Sequence, residues 1–124
     1  PYRHPSRFPL ATQNAARAYY WLHGQDCALA RLFAHAVYRA LFVDDQDISA
    51  PETVIEIAAK LGVDRSNLEN ALQSPEIKAR LKDEVDNALK IGVFGSPYVL
   101  IDGEAFFGAD RLPQIEKWLE TGAF

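Results

Sequence analysis

Three consecutive apolar residues, Val99, Leu100 and Ile101, follow Tyr98 and stand directly before Asp102-Gly103, and a second short run, Glu104-Ala105-Phe106-Phe107, comes after. Asp-Gly between two such runs is the strongest two-residue hairpin signal, because both residues accept the positive φ of a type I′ turn. Asp102 is thereby accounted for as a turn residue rather than a catalyst. The first strand is apolar on both faces, which suits an interior strand covered by helices on each side. An interior strand needs two neighbours. The hairpin supplies one, and an isolated two-stranded sheet is marginal. At least one further strand is therefore expected on the open edge of Tyr98 to Ile101, from sequence outside these residues or from another molecule.

Most of what precedes the hairpin reads as helix. The opening Pro1-Tyr2-Arg3-His4-Pro5-Ser6-Arg7-Phe8-Pro9 fixes φ at three prolines and removes their donors, so it is an extended loop. Thr12 can cap a helix to about Leu22, stopped by Gly24, and Asp26 can cap a second. In the second, Leu29, Leu32, Phe33, Ala36, Val37, Ala40 and Leu41 recur at three and four residues and predict one buried stripe. Ser49-Ala50-Pro51-Glu52 has the form of a capping box opening a helix that Gly62 ends. Asp64 caps a short helix to about Gln73. Ser74-Pro75-Glu76 starts a long one with Ile77, Leu81, Val85, Ala88 and Leu89 on one face and Gly92 at its stop. After the hairpin a last helix is expected from about Asp110 to Glu120.

Composition excludes several classes. The 124 residues are 48% hydrophobic and 24% charged, which fits one ordinary domain without internal repeat or linker. Thirteen basic residues against seventeen acidic ones, a net charge of -4, leave no basic stripe for nucleic acid or an anionic membrane surface. No apolar run is long enough to span a membrane and no signal peptide is legible, so a reducing, cytoplasmic setting is expected. The single cysteine, Cys27, cannot form an internal disulfide or a CxxC pair, and a buried or partly buried structural thiol is expected. His23 and Cys27 stand four apart, but Gly24 interrupts the helix between them and no further ligands cluster, so no metal site is expected. His35 falls on the polar side of its helix, and His4, Arg3 and Arg7 read as solvated surface. The chain opens on Pro1 and contains no Met, so it is expected to be processed or to lack its beginning.

The segment Gly92-Val93-Phe94-Gly95-Ser96-Pro97, the hairpin, and Phe107-Gly108-Ala109-Asp110-Arg111-Leu112 together resemble the C-terminal half of a thioredoxin-like domain. More narrowly, they are similar to the DsbA-like branch that contains 2-hydroxychromene-2-carboxylate isomerases and kappa-class glutathione transferases. Arg7-Phe8-Pro9 with Thr12 and Arg17 resembles that family's loop leading into its helical insert. The resemblance implies an α/β, thioredoxin-like (DsbA-like) fold. Residues 1–11 would be an extended loop, 12–91 a helical insert and 92–124 the strand–hairpin–helix portion of one domain, with an incomplete sheet. The first strand, the helix bearing the catalytic serine, and the second strand would lie before Pro1.

What the resemblance implies for function is a glutathione site on Ser96, Pro97, Ala109, Asp110 and Arg111. Pro97 would be the family's cis proline, turning the main chain of Ser96 towards the cysteinyl part of glutathione as a short added strand. Asp110 is also a favoured helix N-cap. Both roles are compatible: its carboxylate would accept the α-ammonium of the γ-glutamyl group while N–H groups at the helix start take its carboxylate. Arg111 in the first helical turn is unfavourable to the helix dipole, a small hint of another task. Ala109 stands where some relatives carry serine.

The implied enzyme is a glutathione-dependent isomerase acting on an aromatic substrate in aromatic-compound degradation, with this chain supplying the glutathione cradle and a helical lid. Alone it is expected to be inactive and to occur as a homodimer or with a strand-completing partner. A kappa-class glutathione transferase and a DsbA-like thiol-disulfide oxidoreductase are alternatives in the same fold. From another class, the alternative is a non-catalytic thioredoxin-like module completed by a partner chain.

Overall fold

Local capping explains where three of the helices begin. In the computed structural model, which describes the chain except residues 1, 8–9, 94–97, 102–103, 109–111 and 122–124, α1 spans Gln13–His23 and α2 spans Cys27–Phe42. The turn between them is closed by Gly24 N–H donating to the Tyr20 carbonyl at 3.1 Å and Asp26 N–H to that of Leu22 at 2.8 Å. The Asp26 carboxylate then accepts from the N–H groups of Ala28 (3.0 Å) and Leu29 (3.2 Å), satisfying two of the four donors a helix start leaves unpaired. Asp64 does the same for Asn67 at 2.9 Å and opens α4, Arg65–Gln73. Ser74 Oγ accepts from Ile77 N–H at 3.2 Å and opens α5, Pro75–Lys90.

Two expected caps differ. Thr12 occupies the N-cap position of α1, but its hydroxyl makes no capping bond. The capping box at Ser49 does not form either. Helix α3 is Pro51–Ala59 with Ala50 at the cap position, one residue later than a box from Ser49 requires. The Ser49 hydroxyl and N–H both donate to Asp47 Oδ1 instead, an alternative local partner that Ser and Asp side chains readily offer.

Residues 1–84 form one packing unit. Helix α1 lies against α2, α3 and α4, and α3 against α2 and α4. Its largest fully buried side chains are Phe33, Leu22, Leu68 and Val54, one from each of the four helices. Each contributes about 1.5–3 kcal/mol by leaving water. Ala18, Ala30 and Ala58 are all at 0% exposure. On α2 the buried set is Ala30, Phe33, Val37, Ala40 and Leu41. Leu32, expected in the stripe, is 57% exposed. His35 is exposed, as its position on the polar side requires.

The second unit, residues 85–124, holds the end of α5, a hairpin and α6. Val93 N–H donates to the Ala88 carbonyl at 3.0 Å and Gly92 N–H to that of Leu89 at 3.1 Å, with Gly92 at φ 92°, a left-handed helix stop. Strands β1 (Tyr98–Ile101) and β2 (Glu104–Phe107) pair antiparallel in the register Tyr98↔Phe107 to Ile101↔Glu104, leaving the two-residue connection the Asp-Gly signal calls for. Among the described residues, β1 has no second neighbour. Phe106 is 3% exposed, whereas Leu100 and Phe107 are 44% and 43% exposed. The α5 residues Val85 and Leu89 are likewise exposed, and α5 buries no residue fully. Helix α6 runs Leu112–Thr121.

Candidate functional site

Two regions bear on function, one in each unit. In the second unit, Ser96, Pro97, Ala109, Asp110 and Arg111 lie outside the described residues. The described neighbours nevertheless fix a relation. Tyr98 and Phe107 are register partners at the open end of the hairpin, so the chain enters β1 and leaves β2 at the same end. Gly108 follows at φ 96°, a conformation that favours glycine, and α6 begins at Leu112.

In the first unit, α1 and α2 enclose a cleft of about 570 Å³, within the range of small-molecule sites. Ala15, Ala16, Tyr19 and Tyr20 form the α1 wall. The α2 wall is two parallel rows at four-residue spacing: Phe33, Val37 and Leu41, which are buried, and Ala34, Tyr38 and Phe42 beside them. Ile48 and Thr12 complete it. Among the described residues no charged side chain lines this cleft, and the polar groups there are the hydroxyls of Thr12 and three tyrosines. The outer row escapes a search for a single stripe, but the repeat Ala34, Tyr38, Phe42 at i, i+4, i+8 is its sequence signal.

Aromatic rings extend the cleft outward. Phe42 stacks on Tyr38 at 6.2 Å with 15° between planes, and on Tyr2 at 5.6 Å. The opening loop is held there by Arg3 N–H donating to the Phe42 carbonyl at 2.6 Å. Tyr20 belongs to the other wall; burial pushes its phenol up, with Glu84 and Tyr19 adding to the effect, against the Arg80 guanidinium 5.1 Å from the ring centroid. Its hydroxyl therefore remains a donor at neutral pH.

The basic opening loop is clasped to the α2–α3 connection. Arg7 pairs with Asp47 at 2.9 Å, Arg3 with Asp45 at 3.9 Å, and Ser6 N–H donates to Asp45 Oδ1 at 2.8 Å. Asp45 has φ 54°, a left-handed conformation that Asp tolerates better than most residues. The two arginines remain exposed, as expected of solvated surface, and meet acids of their own chain.

Cys27 is exposed, which corrects the expectation of a buried thiol. It opens α2, before the buried face that begins at Ala30. Its Sγ lies 3.6 Å from His23 Nε2, so the turn at Gly24 still brings the pair together. Among the described residues no three His, Cys, Asp or Glu side chains converge as a metal set. Nor is any helix there long and apolar enough to cross a membrane.

A model of the DsbA-like thioredoxin domain matches residues 1–120. The chain belongs to that family. It is 29% identical over 119 residues to 2-hydroxychromene-2-carboxylate isomerase of Sphingobium xenophagum, covering 96% of this chain and 59% of that protein. It is 30% identical over 102 residues to glutathione S-transferase kappa 2 of Caenorhabditis elegans, covering 77% and 45% respectively. Against human glutathione S-transferase kappa 1 the identity is 29% over 87 residues, 60% of this chain and 38% of that one. The chain thus spans between 38% and 59% of these relatives. A solved structure of 2-hydroxychromene-2-carboxylate isomerase superposes with a TM-score of 0.85 over 97% of this chain and 57% of that one, at 24% identity. The DsbA-like thioredoxin fold is therefore established for a mostly helical chain with a C-terminal hairpin.

Proposed function

We propose that this chain serves a glutathione-dependent isomerase of the kind represented by 2-hydroxychromene-2-carboxylate isomerase, contributing its glutathione cradle and part of its substrate surface. The observation that supports the reading is the hairpin register: Tyr98↔Phe107 puts the start of β1 and the end of β2 at one end of the hairpin. In the proposal, the main chain of Ser96 before Pro97 pairs with the cysteinyl unit. Asp110 takes the γ-glutamyl ammonium, and the N–H groups opening α6, with Arg111 beside them, take the carboxylate. Ala109 offers only its backbone.

The glutathione thiolate adds to a conjugated carbon–carbon double bond, the resulting single bond rotates, and elimination of the thiolate restores the double bond with nothing consumed. The serine that lowers the thiol's pKa is assigned to a segment outside these 124 residues, so the chain by itself is proposed to be inactive and completed by a second copy or by a partner strand on β1. A cytoplasmic setting, where glutathione is plentiful, suits the reading.

Titration of the 124-residue chain with glutathione, followed by calorimetry, tests it. Saturable binding that Asp110→Ala weakens about tenfold, the size of one charge-assisted hydrogen bond, is the expected result. Absence of saturable binding sinks it. The kappa-type transferase is favoured as a second reading by the two kappa relatives above; turnover of a chlorinated arene but not of a chromene carboxylic acid by the completed protein would select it.

A further inference from the structure

The first unit holds a second cleft, of about 580 Å³, lined by the end of α1, by α4 and by the start of α5. We propose that it is a binding site for a neutral, hydroxyl-rich ring, the chemistry of a sugar.

Three properties of the lining carry this. The first is its amides. A hydroxyl both donates and accepts a hydrogen bond, and a side-chain amide offers both capacities in one planar group. Gln25, Asn67 and Asn70 all line the cleft. Asn67 and Asn70 stand three apart on α4 and so share a face of it. None of the three side-chain amides holds a hydrogen bond to another described residue, which leaves them for a ligand.

The second is the balance of charge. Among the described lining residues there is one acid, Glu76, and one base, Arg80. Arg80 is already paired with Glu84 at 3.1 Å, and Glu76 in the first turn of α5 repels a negative charge, so an anion gains little there. A cation gains little either, because Glu76 is exposed and water screens such a pair. The third is ring surface. Tyr20 and Trp21 are half-buried at the cleft, each an apolar body with a polar tip, suited to the C–H face of a sugar beneath its hydroxyls. The Arg80 guanidinium, 5.1 Å from the Tyr20 ring centroid, covers that ring, which makes Trp21 the platform. The volume is mid-range for sites that hold a small molecule.

The site is separate from the proposed glutathione cradle, and its test is run on the full chain without glutathione, so that the two readings fail independently. The probes are glucose, maltose and cellobiose, with glucosamine and glucuronate adding a charge of either sign to the same ring at mildly acid pH. Each is titrated to about 10 mM, tenfold above a Kd of about 1 mM, and followed by amide chemical shifts. The expected result is saturable binding of maltose or cellobiose with shifts at the end of α1, in α4 and at the start of α5. Asn67→Ala and Asn70→Ala, both at exposed positions where substitution is well tolerated, should each weaken it about two- to tenfold, the size of one neutral hydrogen bond. If circular dichroism shows that one variant has lost its helices, the other decides. Absence of saturable binding by every neutral probe overturns the proposal, as do shifts located outside the cleft or binding that neither folded variant changes. Tighter binding of either charged sugar than of glucose also overturns it, because the lining would then be selecting charge.

Discussion

Phe33 and Leu32 are adjacent on α2, both apolar and both part of the same sequence stripe, yet Phe33 is 1% exposed and Leu32 57%. Phe33 packs in the core of residues 1–84 and also floors the cleft. Phe33→Ala removes a whole ring from the side of α2 that packs on α1 and α3, which cannot fully close the space, and such truncations cost about 3–5 kcal/mol. Domains of this size have about 5–15 kcal/mol in total. At about 4–8 °C per kcal/mol for a unit of this length, the unfolding midpoint should drop by at least about 12 °C. Leu32→Ala removes a side chain that is mostly in water, and its effect should stay within about 0.5 kcal/mol, or roughly 4 °C. Thermal unfolding followed by circular dichroism at 222 nm (the α-helix band) reads both variants on one scale. Equal shifts for the two, or a shift below about 4 °C for Phe33→Ala, would refute the packing of α2 described here.

Asp26→Ala removes the acceptor for two N–H groups at the start of α2 and should lower stability by about 1 kcal/mol in urea unfolding, with Asp26→Asn retaining most of it. Acid should release the opening loop. The Asp45 carboxyl is held below its ordinary value of 3.8 by hydrogen bonds from Ser6 and then by Arg3 and Arg7; Asp47 is held below it by Ser49 and then by Arg7. Because both folded-state values are depressed, their contribution is present above the ordinary carboxylate range and disappears as pH falls through the depressed values. Amide shifts of Arg3 and Ser6 should therefore move with a midpoint below 3.8, and a midpoint at or above it would contradict the clasp. Asp45→Ala should abolish that transition for Ser6.

Much of the local structure was legible because its causes are local. Asp26, Asp64 and Ser74 cap from within three residues of their partners, Gly92 stops a helix by tolerating positive φ, and Asp-Gly specifies a two-residue hairpin. The family resemblance likewise came from short, ordered motifs around that hairpin, and the match over residues 1–120 agrees with it. Ser49 was misassigned where two local partners compete: the preceding Asp47 captures its hydroxyl before the helix starts.

What the tertiary structure decided involves residues far apart in the chain. Periodicity identifies an apolar helix, but only the approach of α1 determines that Phe33 is enclosed, Leu32 is left in water and the second row, Ala34, Tyr38 and Phe42, faces a cleft. Burial on a helix depends on the direction from which its neighbour arrives, and that is a property of two segments. The pairing of Arg7 with Asp47 spans forty positions and depends on the loop between α2 and α3 folding back. Cys27 is a hydrophobic residue by composition, yet it is exposed because α2 begins there, ahead of its packed face. Sequence determined which segments form helices and strands through interactions within a few residues, and packing alone decided which of their faces could bind.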